Sequence, residues 1–431
     1  MRKLFVVAAM VLATVVVGCD EREVGSQSCP ILCPQQNVVV RDTTFDAVFA
    51  DTTLEGFPSF GASIELMIAS AGDTLDTRAI IRYDSITRSF LPVGFPADSP
   101  MVPITRPDSS HLRLYLDTAR SHVPATFTIE AYDVDTTSAD AATALLIPLF
   151  RPDRLIGSRT FAAAELLDTI SVPIDTGKMR AIVTGGRRLR IGLKVVAAES
   201  AIIRFFSSES SQGTRLYYKA APDSGSQVVA HLPRSTTPDL FSTAQAAFSD
   251  WTLIVKGAPP LPAATMSVGG MPARRFVLTV NVPDRIVDSA DVVRATLTLT
   301  QRPNLATYRA GDSLAVYPLV LVATTYVLDP FRATELAVPL TGAIRARYTR
   351  QAYSDSLRMA PRDSGARAFE MTALLREWRL NRGFLRRVIV FRVSDEGFDA
   401  GDLRFFGAAA AAGVRPRIRI QYVPAATRLT P

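Results

Sequence analysis

Three aspartates offer the most evident ligand chemistry in this chain. Asp133, Asp135 and Asp140 alternate through DVDTTSAD, a spacing that can gather several of the hard oxygen ligands calcium takes. A calcium site needs six or more oxygens, and the stretch lacks the glycine and the closing glutamate of an EF-hand loop. A solvated loop held by Asx-turns is the stronger reading of the same residues. Acid–base chemistry has few candidates. The histidines are three, His111, His122 and His231. His111 borders a strand-like run, His122 precedes a proline turn and His231 lies near an expected domain junction, so each reads as a surface or edge residue. No H-E-x-x-H, G-x-S-x-G or glycine-rich phosphate loop occurs, and Gly269-Gly270 reads as a turn. No pair of carboxylates stands out as the acid and base of a glycosidase. The chain therefore reads as non-enzymatic, with no catalytic residue and no cofactor beyond a structural calcium. A glycan-active hydrolase of unfamiliar type is the rival from another class.

Sugar binding asks for exposed planar rings beside polar groups. There are two tryptophans. Trp378 reads as a core residue, and Trp251, in FSDWTLIV, as the start of a strand of the second half. Tyr115, Tyr132, Tyr217 and Tyr308 fall where they can face outward, but they form no recognisable platform along the sequence.

The thiols indicate where the chain lives. Cys19 closes Val16-Val17-Gly18-Cys19, behind a positive start (Arg2, Lys3) and an apolar run over 4–17. Such a run matches a signal-peptide core and is shorter than the ~20 residues of a membrane span. The box resembles the bacterial lipobox, which implies cleavage before Cys19, diacylglycerol on its thiol and acylation of the new amino terminus. One acyl chain holds a protein weakly at a membrane, whereas two or three hold it stably. The alternative is an ordinary signal peptide that ends in a cysteine. The expected location is the cell envelope, at the outer membrane or the periplasmic face of the inner membrane. Cys29 and Cys33 sit in SCPILCPQQ, where export permits a disulfide. Two thiols without a nearby histidine are too few for a metal site. Residues 1–18 thus read as the signal peptide, and 19–37 as the lipidated N-terminus and a linker.

The formal net charge is +7, two of it from Arg2 and Lys3, and no basic block occurs. Nucleic-acid binding asks for clustered charge interleaved with aromatics and is not expected. The length of 431 residues leaves room for two domains. The body is strand after strand. Leu112, Leu114 and Leu116 share one face; so do Phe127, Ile129 and Ala131, and Leu189, Ile191, Leu193 and Val195. Phe276, Leu278, Val280 and Val282 repeat the pattern, as do Ala295, Leu297 and Leu299, and Ile418, Ile420 and Tyr422. Period-two alternation with polar turns predicts antiparallel sheets with one face inward. Helical candidates are short: 139–147, 160–167 and 243–248. In FEMTALLREWRLNRG, Phe369, Thr372, Leu375 and Trp378 recur every third residue, which predicts a short helix plugging the end of a sandwich.

An internal repeat supports two domains. Arg204-Phe205-Phe206 recurs as Arg404-Phe405-Phe406, LRIGLKV (189–195) matches RRVIVFRV (386–393), and TRAIIRY (77–83) matches ARRFVLTV (273–280). HLRLYL (111–116) matches VRATLTLT (293–300), in the same order and displaced by about half the chain. The junction is expected at 220–235, giving domains over 38–222 and 223–426.

The second half resembles the DNRLRE-type β-sandwich, a module of large secreted and surface bacterial proteins. The resemblance runs through VGGMPARRFVLTVNVP (268–283), ADVVRATLTLTQ (290–301), FEMTALLREW (369–378) and VRPRIRIQYV (414–423). Glu370 and Met371 stand where the family has Asp-Val, and the six-letter motif that names it is absent. The first half fits more loosely, its helix position GKMRAIVTGG (177–186) lacking the threonine and the tryptophan. The resemblance implies jelly-roll-like sandwiches akin to carbohydrate-binding modules, with Phe369, Thr372, Trp378 and Tyr422 as core anchors. It carries no catalytic residues.

The expected protein is all-β: two tandem antiparallel jelly-roll-like β-sandwich domains with short plug helices. Its expected role is a structural or adhesive binding module of the cell envelope, held to the membrane by lipid on Cys19. The alternative is a cell-surface carbohydrate-binding protein. Partners would be the membrane and a polysaccharide or another envelope protein, with no nucleic acid.

Overall fold

Alternation becomes strand throughout the chain. The computed structural model describes residues 39–46, 48–57, 61, 63–71, 75–134, 143–222, 228–235, 249–257, 260–305, 313–321, 337–338, 357–380, 387–394, 396–397 and 399–424. Cys19, Cys29, Cys33, Asp135, Asp140, Tyr308 and the helical candidate 243–248 lie outside them. β1 (Arg41–Phe45) and β2 (Val48–Phe57) come first. There follow β3 (Glu65–Ala71), β4 (Leu75–Tyr83), the small hairpin β5 (Ser89–Phe90) and β6 (Val102–Pro103), β7 (Asp108–Tyr115) and β8 (Thr126–Asp133). β9 (Leu155–Ala162), β10 (Thr169–Pro173), β11 (Leu189–Val196), β12 (Ala201–Phe206), β13 (Arg215–Lys219), β14 (Val228–His231) and β15 (Asp250–Lys256) complete this part.

The rest holds β16 (Thr265–Gly269), β17 (Ala273–Val280), β18 (Asp291–Arg302), β19 (Leu314–Leu321), β20 (Ala337–Val338) and β21 (Leu357–Met359). It ends with β22 (Gly365–Glu370), β23 (Val388–Val393), β24 (Asp402–Phe406) and β25 (Arg417–Val423). The sheets are antiparallel and the few helices are short, so the fold is all-β and sandwich-like.

Both halves repeat one plan. The layer β10-β7-β13-β14 in the first corresponds to β22-β18-β25-β1 in the second, and β12-β3-β4-β11-β8-β9 corresponds to β24-β16-β17-β23-β19-β20. In the second half the long β18 joins the layers by pairing Gln301 with Phe405, and in the first a single bridge, Leu116 to Phe205, does so. Each half has its own core. Phe127, Leu114, Ile191 and Phe205 lie in one; Phe276, Leu297, Trp378 and Phe405 lie in the other. The inward residues of every expected run are buried, while their alternate neighbours line the other face.

The strand pairing crosses the expected division at 222/223 in both directions. β1 pairs with β25 and β2 with β17, so the first strands of the chain complete the second half. β14 pairs with β13 and β15 with β4, so the strands just past the division complete the first half. The expected junction at 220–235 thus falls where the chain passes between β13 and β14, two paired strands of one sheet. Trp251, expected to begin a strand of the second half, is 1% exposed and packs beside Ile80, Tyr132 and Leu253 in the first. Alternation fixes which face of a strand is buried; it carries no information about which sheet accepts its backbone hydrogen bonds. Where the halves meet, Met67, Ala69, Leu75 and Ile202 pack against Met271 and Ala400, and Arg204 lies 3.5 Å from Asp399.

Helices α1 (Thr143–Leu146), α2 (Thr176–Thr184) and α3 (Thr372–Leu380) are the α-helical elements among the described residues. Asp175 caps α2 by accepting from Lys178 N at 2.7 Å. α3 is the expected plug and places Trp378 fully inside the second core. Phe369 is not part of its stripe: it belongs to β22, opposite Leu297, and reaches the same core from a strand. Thr372 Oγ1 accepts from Ala295 N at 2.7 Å, tying the start of α3 to β18. The candidate over 160–167 is the end of β9 followed by a single 3-10 turn at Ala163–Glu165. Gly269 and Gly270 are the expected turn, with φ of +82° and +88° between β16 and β17.

Candidate functional site

The sheet β10-β7-β13-β14 buries Leu112, Leu114, Leu216 and Val172 on its inner side. Period two then sends His111, Arg113 and Tyr115 of β7 and Arg215 and Tyr217 of β13 to its outer face, where each is half-buried. Register sets His111 opposite Tyr217 and Arg113 opposite Arg215. On the flanks, Pro173 and Ser171 of β10 lie opposite His111 and Arg113, and Ala230 of β14 lies opposite Tyr217.

The five side chains interlock. The rings of His111 and Tyr217 stack with centroids 5.2 Å apart and planes within 8°. The Arg113 guanidinium stands 4.6 Å from the Tyr217 centroid and that of Arg215 stands 5.8 Å from the Tyr115 centroid, both within cation–π range. His111 Nδ1 lies 3.1 Å from the Ser109 carbonyl, to which it donates. Partial burial pushes the Tyr217 hydroxyl up, but hydrogen bonds with Tyr115 and Arg215 and the charges of Arg113 and Arg215 outweigh it. Its pKa falls below the usual tyrosine value.

Two features of this face oppose stability. Like charges directly opposite each other across a strand pair repel, and among the described residues no carboxylate pairs with Arg113 or Arg215. The Nε atoms of both arginines are buried without a hydrogen-bond partner. In addition, pairing jumps from Tyr217–His111 to Lys219–Asp108, a bulge that puts Ser109 at φ +50°. Left-handed backbone at a serine costs on the order of 1 kcal/mol, and bulges commonly re-aim side chains beside binding sites.

The equivalent face of the second half is built differently. β18 presents Thr296 and Thr298, and β25 presents Arg417, Arg419 and Gln421. A groove of about 240 Å³ runs between Arg294, Thr296, Thr298, Arg419 and Gln421. Here the cations are neutralised by β1 and the residue after it: Arg419 grips Asp42 at 2.9 and 2.5 Å, and Arg417 lies 3.3 Å from Asp46. Hydrogen bonds from Arg419 and Gln421 hold the Asp42 carboxyl down at about 2.

A carboxyl pair also forms, away from either face. Asp250 is 1% exposed, and its oxygens accept from Ser208 N and Oγ at 2.8 and 3.0 Å. Burial and the neighbouring Glu209 push its pKa up to about 7. A carboxyl so enclosed has no path to a polymeric substrate.

Of the residues singled out from sequence, Asp133 closes β8, and no group of three or more metal-ligating side chains forms among the described residues. His231, expected as a surface or edge residue, ends the edge strand β14 but is only 8% exposed, stacked on Tyr218 with Nε2 3.0 Å from its hydroxyl. His122 bridges to Ile202. Tyr132 is buried, with its hydroxyl 2.5 Å from Glu130 Oε2. Tyr115 and Tyr217 are brought onto one face from about a hundred residues apart in sequence. Arg113 and Arg215 escape sequence reading, although HLRLY (111–115) and RLY (215–217) set cations and rings at alternate, outward positions. No protein-family model matches the chain, and no curated protein matches it.

Proposed function

We propose that this chain is a non-enzymatic, lipid-anchored protein of the cell envelope that acts as an adhesive or structural binding module. The outer face of β10-β7-β13-β14 is its contact surface. The observation that carries this reading is the face itself: five interlocked cationic and aromatic side chains on one sheet face, with no carboxylate paired to its arginines among the described residues. Stable folding alone does not favour such an arrangement. The anchor rests on the lipobox-like end at Cys19, and the likeness to DNRLRE-type sandwiches accords with a surface role. Carbohydrate recognition is the more specific version of this reading, favoured by tyrosines and a histidine beside hydrogen-bond donors.

The test uses vesicles carrying the full-length acylated protein, applied to surfaces coated with cell-envelope polysaccharide or peptidoglycan. Retention that is lost in the double variant Arg113→Gln/Tyr217→Ala supports the reading. Equal retention of wild type and variant removes the face, and a Cys19 peptide without acyl mass removes the anchor.

A further inference from the structure

We propose that the Arg113–Arg215 face binds an acidic polysaccharide, seating the ring carboxylates of its sugar units on the two guanidinium groups. This inference rests on reading the same face as the contact surface and adds the ligand class. The internal repeat supplies the comparison. β14 occupies in the first half the place of β1 in the second. β1 and the residue that follows it bring Asp42 and Asp46 to the arginines of the sheet, whereas β14 brings Val228 and Ala230 to the outer side of β13. One scaffold thus carries both solutions, and of the two faces only that of the first half leaves its arginines without an acid among the described residues. An external anion completes what β14 does not supply.

The chemistry of the face selects among anions. Arginine presents a planar fork that matches a carboxylate with two parallel hydrogen bonds. The arginine side chains are already leaned on Tyr217 and Tyr115, which fixes the forks before a ligand arrives. Around them stand the Tyr115 and Tyr217 hydroxyls and the Nε2 of His111, groups suited to sugar hydroxyls. An open sheet face accepts an extended polymer that repeats its charge along the chain, and each further carboxylate adds avidity.

The experiment measures binding of the full-length protein, in neutral detergent micelles, to polygalacturonate. Neutral dextran, inorganic phosphate and phosphatidylglycerol vesicles are the comparison arms. Polygalacturonate is expected to bind and to weaken with added salt. Arg113→Gln or Arg215→Gln is expected to reduce affinity by about tenfold or more, and Arg113→Lys, which keeps the charge and loses the fork, by less. The melting temperature of each variant should be unchanged or higher, which separates lost binding from lost folding. Equal affinity in all variants, equal binding of dextran, or binding confined to phosphate or to the vesicles overturns the proposal. Envelope retention without polygalacturonate binding defeats the ligand class and leaves the contact surface standing. Polygalacturonate binding through these arginines without envelope retention does the reverse.

Discussion

Arg113 and Arg215 face each other directly across an antiparallel strand pair, and Arg113 lies over the ring of Tyr217, whose hydroxyl both guanidinium groups favour ionising. Two positive charges therefore act on one phenol. In Arg215→Gln the Tyr217 hydroxyl is expected to titrate at higher pH than in the wild type, since a hydrogen bond and a charge that favour the phenolate are gone. Ultraviolet absorption titration, with Tyr217→Phe subtracted, reads this. The same variant should be as stable as the wild type or more so, by up to about 1 kcal/mol, because cross-strand repulsion is relieved. A clear fall in stability would mean that the arginine supports the sheet and is not kept for a ligand.

Asp250 gives the fold a pH dependence of definite sign. Its carboxyl is held protonated up to about 7 by burial and by Glu209. The folded state thus binds a proton that the unfolded chain releases near pH 4. The stability from this proton is complete below about pH 4 and is lost as pH rises through about 7. Asp250→Asn keeps an acceptor for Ser208 and cannot ionise. Thermal unfolding at about pH 5 and about pH 8 should show the wild type losing stability relative to this variant. A constant difference between them would show that Asp250 is ionised in the fold at both pH values.

Arg275 and Glu396 form a two-pronged ion pair at 2.7 and 2.6 Å, with side chains 1% and 7% exposed. Glu396→Ala removes the carboxylate that meets the buried guanidinium with two hydrogen bonds and is expected to cost about 3–5 kcal/mol. Replacing both partners with apolar residues of similar size should recover most of that loss. Denaturant unfolding of the single and double variants checks it, and a single variant as stable as the wild type would show that solvent reaches the pair.

The exchanged strands make the two cores depend on distant sequence. Deleting residues 39–57 removes β1 and β2 and uncovers β25 and β17. The second core should then loosen while the first, completed by β14 and β15, stays folded. Trp378 reports on the second core and Trp251 on the first. Fluorescence of the deletion variant in Trp251→Phe and Trp378→Phe backgrounds should show exposure of Trp378 alone. Exposure of both, or of neither, would contradict the pairing described here.

The class of fold and the composition of its cores follow from the order of residues alone. Alternation at Leu112–Leu114, at Leu189–Val195 and at Ile418–Tyr422 already sorts inward from outward residues, because burial of one sheet face imposes period two. The repeat of Arg204-Phe205-Phe206 as Arg404-Phe405-Phe406 shows two copies of one plan, and both copies place the arginine and the first phenylalanine inside. The plug helix with Trp378 was legible for the same reason, its apolar spacing being that of a helix. Tertiary structure alone decided the partners. β2 and β15 carry ordinary strand patterns, and which sheet each joins depends on backbone hydrogen bonds that any residue can make. The candidate site arises in the same way. Arg113 and Arg215 are unremarked outward residues in their own strands, and they become a site only because antiparallel register sets them opposite each other.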